Sequence, residues 1–211
     1  EISECDWSSD VCSSDLQVAV SFLGTVLDSG FGQGRWQKWR PNVAMNQRHD
    51  FHLDRMELFY AEKYRDLADH VKADIQQVSP HTAVNLVPME LENPWDFSEV
   101  YTKLHDWAAG YAFDTEEETY LTHITTGTHV AQICLFLLVE SRQIPGVLLQ
   151  TAPPKNQKRS MGKGDVGRYE IIDLDLARYD VLAERLAAVR DDAVRYLKSG
   201  ISTQNAAFNR M

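Results

Sequence analysis

The apolar residues of this chain follow two alternating rhythms, short continuous runs and helical stripes. The run QVAVSFLG (17–24) ends in glycine and predicts a strand buried on both faces. FHLDRMELFY (51–60) predicts a second strand, and AEKYRDLADHVKADIQQ (61–77) an amphipathic helix with Leu67, Val71 and Ile75 on one face. Ser79-Pro80 stops that helix. TAVNLVPMELE (82–92) reads as a third strand, weakened by its Pro88. DFSEVYTKLHDWAAGY (96–111) predicts a helix opened by a capping box, Asp96 with Glu99 three residues later. YLTHITTGTHVAQICLFLLVESR (120–142) begins as a strand and continues as a long apolar helix. GVLLQTA (146–152) and YEIIDLD (169–175) add two strands, and a helix from about Arg178 to Lys198 closes the domain.

Strands alternating with helices imply parallel βαβ units in a doubly wound α/β sheet of about six strands. The last pair differs. Residues 153–168 hold Pro, Gly and charges without a helical period, so the final two strands are predicted to form an antiparallel hairpin with a long loop.

The first sixteen residues, EISECDWSSDVCSSDL, share neither rhythm. They lack the apolar segment of a signal peptide. DWSSDVCSSDL looks instead like the in-frame translation of a common sequencing adapter. The expected organisation is therefore a non-native tail (1–16), one domain (17–198) and a linker (199–211). Without the tail, 26 acidic residues face 21 basic ones, a net charge of −5 rather than −10. Cys134 is then the sole cysteine, which fits a reducing cytoplasm and argues against a disulfide framework. The longest apolar run, Val130 to Val139, is far short of the roughly 20 residues that span a bilayer.

That run is apolar on nearly every face, so a helix there needs a second cover besides the sheet. A neighbouring helix or a two-fold mate would supply it, and the expectation is a homodimer with Leu137 facing outward.

Chemistry in an open α/β sheet sits beyond the carboxyl ends of its strands. Thr25 and Asp28 follow the first strand, with GFGQGRWQKWRPN behind them. Trp95 follows the third, Thr125-Thr126-Gly127-Thr128-His129 the fourth, and PPKNQKRSMGKGDVGR the fifth. The threonine turn offers backbone N–H groups at a helix start plus hydroxyls, suited to a phosphate. The competing explanation is simple capping by Thr126 or Thr128. Arg35 and Arg40 make the first long loop basic, and Lys158 and Arg159 the second, which suggests a polyanionic ligand. Trp36, Trp39 and Trp95 add faces on which bases could stack. Gly30–Gly34 is a weak match to a dinucleotide fingerprint, and no P-loop motif occurs. His49 and His52 form no metal set with neighbouring carboxylates or cysteines, and no cofactor is implied.

Longer motifs now carry a resemblance. GTVLD, RWQKWRPN, NPWDFSEVY, LHDWAAGY, YLTHITTGTHVAQICLFLL, IIDLDLARYD and LKSGISTQN together resemble the N-terminal regulatory domain of the RtcR family, bacterial activators of RNA-repair genes. The resemblance runs from about residue 17 to the end. It implies a Rossmann-like, dimeric CARF-type domain that senses RNA-derived nucleotides, with ITTGTH in the ligand loop. It further implies a following AAA+ ATPase that works with the alternative sigma factor, a DNA-binding domain, and an output of RNA ligase and RNA 3′-terminal phosphate cyclase. RNA ends with a 2′,3′-cyclic phosphate and cyclic oligonucleotides both fit. The resemblance also allows a metal-independent nuclease using His129 or His123 as acid or base. An enzyme with a nucleotide cofactor is the third reading.

Overall fold

The computed structural model describes residues 16–154 and 166–172. The predicted helix 178–198, the linker, Lys158 and Arg159 lie outside the described residues. Six strands form one sheet: β1 (Leu16–Phe22), β2 (Arg55–Tyr60), β3 (Ala83–Pro88), β4 (Glu118–His123), β5 (Val147–Ala152) and β6 (Arg168–Ile172). Their order is β3-β2-β1-β4-β5-β6. The first five run parallel, and β6 pairs antiparallel with β5, Thr151 opposite Tyr169. The mostly parallel α/β sheet with a closing hairpin is thus as the apolar runs predict.

Side-chain alternation assigns the two faces. Ala19 of β1, Met56 and Leu58 of β2, and Leu121 of β4 join one buried cluster with α1 (Pro41–Asn46) and α2 (Arg65–Val78). The odd-even partners, Phe22 and Phe59, face the opposite side, where Phe59 meets Trp107 of α3 (Phe97–Gly110) edge-on at 4.7 Å. Helix α4 (His129–Glu140) packs beside α3. Helices on both faces make the sheet doubly wound. Pro88 is tolerated because it ends β3, which lies at the sheet edge.

Three local expectations need revision. Residues 33–37 form a 3-10 turn and α1 is a helix with every residue buried, where the sequence suggested an irregular loop. Six residues are too few to show a period, but Pro41 at the first helical turn was a signal. The capping box is half made: Asp96 accepts from the Glu99 N–H at 2.8 Å, while the Glu99 carboxylate accepts from the N–H groups of Glu92 and Asn93. The second strand begins only at Arg55, and its helix at Arg65.

Helix α4 buries Ala131, Cys134, Leu135, Leu138 and Val139. Burial pushes the Cys134 thiol upward, as expected of an inert core cysteine. Helix α3 supplies part of the second cover, yet Ile133 (51% exposed) and Leu137 (37%) remain open to solvent.

Candidate functional site

The chain leaves β1 toward β2 and β3 on one side, then returns to place β4 on the other. That reversal opens a crevice at the carboxyl ends of β1 and β4. A cleft of about 400 Å³ occupies it. Gly24 to Leu27 form one wall after β1, Thr125 to Thr128 another after β4, and Pro94 and Trp95 a third after β3. Lys63 and Tyr64, which follow β2, complete it. Phe22, Phe59, Met89 and Leu91 make the lining largely apolar. Trp95 is 62% exposed and Tyr64 38%, so two exposed aromatic side chains line the cleft; Lys63, its ammonium 5.2 Å over the Tyr64 ring, is the one charged lining side chain among the described residues.

The threonine turn lies where the sequence put it, but its hydroxyls are already engaged. Thr125 Oγ1 donates to the Thr151 carbonyl at 3.1 Å and accepts from the Thr151 N–H at 2.7 Å. Thr126 is buried, its hydroxyl donating to the Phe22 carbonyl at 2.6 Å. Thr128 caps α4 by accepting from the Ala131 N–H at 3.1 Å and donates to the Pro94 carbonyl at 2.9 Å. The hydroxyls therefore stitch β1, β5 and the Pro94–Trp95 segment to the turn. Gly127, at φ +87°, lets the turn pass over Phe22, where a Cβ would come within 3.2 Å of that side chain. The cap leaves the His129 and Val130 N–H groups without an intrahelical acceptor.

Of the residues singled out from sequence, Thr25, Trp95, Thr125, Thr126, Gly127 and Thr128 line the cleft. His129 is exposed at the start of α4 but is not a lining residue. The basic 31–50 segment is not the open cationic surface its sequence suggested. Arg35 pairs with Asp74 of α2 at 2.9 Å, and Arg40, 2% exposed, reaches the same carboxylate at 2.5 Å. Arg48 is tied to Asp50 and to the Gly167 carbonyl. Trp36 packs against the α1/α2 core cluster, and Trp39 is half-buried with its indole nitrogen beside Gly167. Sequence reading overlooked Lys63 and Tyr64. The signal was position: they come directly after a strand, although the helical stripe predicted over 61–77 includes them.

Beneath the cleft runs a buried polar chain. Ser21 Oγ contacts Asn42 Oδ1 at 2.6 Å, His123 Nδ1 at 2.9 Å and Thr126 Oγ1 at 3.3 Å. His123 Nε2 lies 2.9 Å from Thr151 Oγ1. Burial pushes the His123 pKa down to about 3, so the ring is neutral. At the other end Asp28 accepts from the Gly24 N–H at 2.9 Å, the Asn42 N–H at 3.1 Å and the Asn42 side-chain amide at 2.6 Å. Asp28 thus points inward, holding the β1 wall from behind rather than facing the cleft.

The family model described as RtcR, regulator of RNA terminal phosphate cyclase, matches residues 16–200. The transcriptional regulatory protein RtcR of Escherichia coli (strain K12) is 52% identical over 195 residues, covering 92% of this chain and 36% of that protein. The chain therefore spans about a third of that relative's length. Among solved structures, Enterococcus italicus Csm6 bound to cyclic hexa-2′-fluoro-hexa-dAMP is similar with a TM-score of 0.56 and 18% identity, over 88% of this chain and 49% of that one. At that identity the likeness shows the fold alone, a mostly parallel α/β sheet flanked by helices. With the family model matched over most of its length, the chain belongs to the RtcR family of transcriptional regulators.

Proposed function

We propose that this chain is the ligand-sensing domain of a cytoplasmic activator of RNA-repair genes, and that its cleft takes RNA ends or RNA-derived nucleotides. The observation that carries the reading is the cleft at the β1/β4 switch point, with two exposed aromatic side chains and one lysine among apolar walls. Aromatic faces stack bases, and a lysine attracts a phosphate. Its volume falls within the roughly 300–1,000 Å³ of small-molecule sites. Csm6, of similar fold, holds a cyclic oligonucleotide. In the whole protein the signal would pass to an AAA+ ATPase, and from it to the sigma factor and the RNA ligase and cyclase genes. A homodimer would bury Ile133 and Leu137 of α4, and a monomer on sizing at micromolar concentration would remove that part of the reading.

The nuclease reading is less well supported. His123 is fully buried and bonded on both ring nitrogens, so it has no route to a ligand, and His129 stands outside the lining. The test is a binding titration with labelled RNAs ending in 2′,3′-cyclic phosphate, 3′-phosphate or 3′-hydroxyl, and with a cyclic oligoadenylate. Saturable binding that depends on the phosphate is the expected result. Failure of every probe overturns the proposal, and new product ends would favour the nuclease.

A further inference from the structure

The wall formed by Gly24 to Leu27 has little of its own to hold it. Val26 is 80% exposed and Thr25 and Leu27 are also open to solvent. Its fixed points are the Ser29 hydroxyl donating to the Val26 carbonyl at 2.7 Å, the Asp28 N–H donating to the Gly24 carbonyl at 2.7 Å and the three bonds accepted by the Asp28 carboxylate. The Gly24 N–H and the Asn42 side-chain amide converge on Oδ2, the Asn42 N–H on Oδ1. Gly24 is needed for that approach, because a Cβ there would lie 2.7 Å from Oδ2 and 3.1 Å from Thr126 Cγ2. Asn42 then reaches past Asp28, donating to the Phe22 carbonyl and accepting from Ser21, so the same side chain also reaches the network under the threonine turn.

We infer that Asp28 is a positioning residue of the cleft: its ionised carboxylate, gripped by Gly24 and Asn42, holds the Gly24–Leu27 wall in its binding shape, and protonation releases that wall and weakens ligand binding. This rests on the RNA-sensing reading for the identity of the ligand, but not for the behaviour of the wall. The carboxylate accepts all three bonds, whereas protonation turns one oxygen into a hydroxyl that accepts less well and whose proton faces groups that are themselves donors. Burial, the largest influence, pushes the Asp28 pKa up to about 6 against the bonds from Asn42 and Gly24, which brings the proton within reach of mildly acidic pH.

The neighbouring ionisable groups are few. Arg40, from the start of α1, donates to the Asp28 backbone carbonyl at 3.0 Å and is itself paired with Asp74 of α2. Arg35 shares Asp74, and His70 of α2 lies 3.8 Å from it. His123 of β4 reaches Asp28 only through Ser21 and Asn42, and its neutral ring adds no charge. The sign for stability is opposite to that for binding. Asp28 takes up its proton in the folded chain before the unfolded one, whose carboxyl keeps its ordinary value of 3.8. Its contribution to stability therefore rises as pH falls from about 6 toward 4. Weaker binding over that window is not unfolding.

The experiment is an NMR titration of the 211-residue chain from pH 7.5 to 4.5, following the Gly24 and Asn42 amides, together with amide exchange of residues 24–28. The two amides should move with one shared midpoint, and protection of the wall should fall with them relative to β2. Affinity for an RNA ending in 2′,3′-cyclic phosphate should drop about tenfold across the same midpoint, the effect of losing one bond to a charged group. Asp28→Asn should abolish the titration, and His70→Gln should leave it in place. Independent or absent movement of the two amides overturns the inference, as does unchanged affinity of the wild-type chain across the midpoint. Because shifts and exchange are read without RNA, a wall that loosens in a chain binding no RNA would sink the sensing proposal and still support the hold of Asp28 on the wall. If Asp28→Asn does not fold, the wild-type titration decides alone.

Discussion

Replacing Asp74 with alanine should lower the stability of the domain by about 3–5 kcal/mol, the scale of removing one partner from a buried ion pair. Asp74 lies on the buried face of α2, its side chain 3% exposed, and the Arg40 guanidinium opposite it is 2% exposed. Burial alone would push the Asp74 carboxyl up. The bonds from Arg35 and then Arg40 outweigh it and hold the carboxyl below its ordinary value. Without the carboxylate, Arg40 keeps its bond to the Asp28 carbonyl but stays buried without its ion-pair partner. Urea unfolding measures this directly, because the midpoint shift multiplied by the slope gives the free energy. A loss below about 1 kcal/mol would mean the arginines are free to move, and Arg35 and Arg40 would again be candidates for a phosphate.

That prediction also shows where sequence reading stopped. Arg35 and Arg40 looked like an open basic loop because their counter-charge lies on α2, more than thirty positions along the chain. The clue was in the helix: Asp74 falls on the stripe of Leu67, Val71 and Ile75, where an unpaired carboxylate has no business. Asp28 was misplaced for the same reason, since the three donors that turn it inward come from Gly24 and from a helix too short to be periodic. The strands, by contrast, were legible because a strand covered on both faces writes itself as a continuous apolar run. Placing Thr125–Thr128 and Trp95 at one cleft followed from strand order, which fixes what the carboxyl ends share before any side chain is considered. What order does not reveal is whether a polar group is spent inside the fold. The threonine hydroxyls are.

The sharpest functional contrast therefore lies between Trp95 and Thr128, neighbours across one hydrogen bond to Pro94. Trp95→Ala should leave the fold intact, because most of the ring is in solvent and buries little. If a base stacks on it, the substitution should weaken RNA binding by about 1–3 kcal/mol, or roughly five- to more than a hundredfold. Thr128→Val should behave in the opposite way. It removes the α4 cap, which costs about 1 kcal/mol of stability, and it frees the Pro94 carbonyl. Affinity should fall only to the extent that the Trp95 segment loosens, by less than for Trp95→Ala. Thermal or urea unfolding and an RNA titration on the same two proteins separate the cases. Wild-type affinity in Trp95→Ala would remove the stacking role and leave Tyr64 as the aromatic face at the cleft. A Thr128→Val protein of full stability that no longer bound RNA would return the threonine turn to the ligand, against the bonds its hydroxyl makes in this fold.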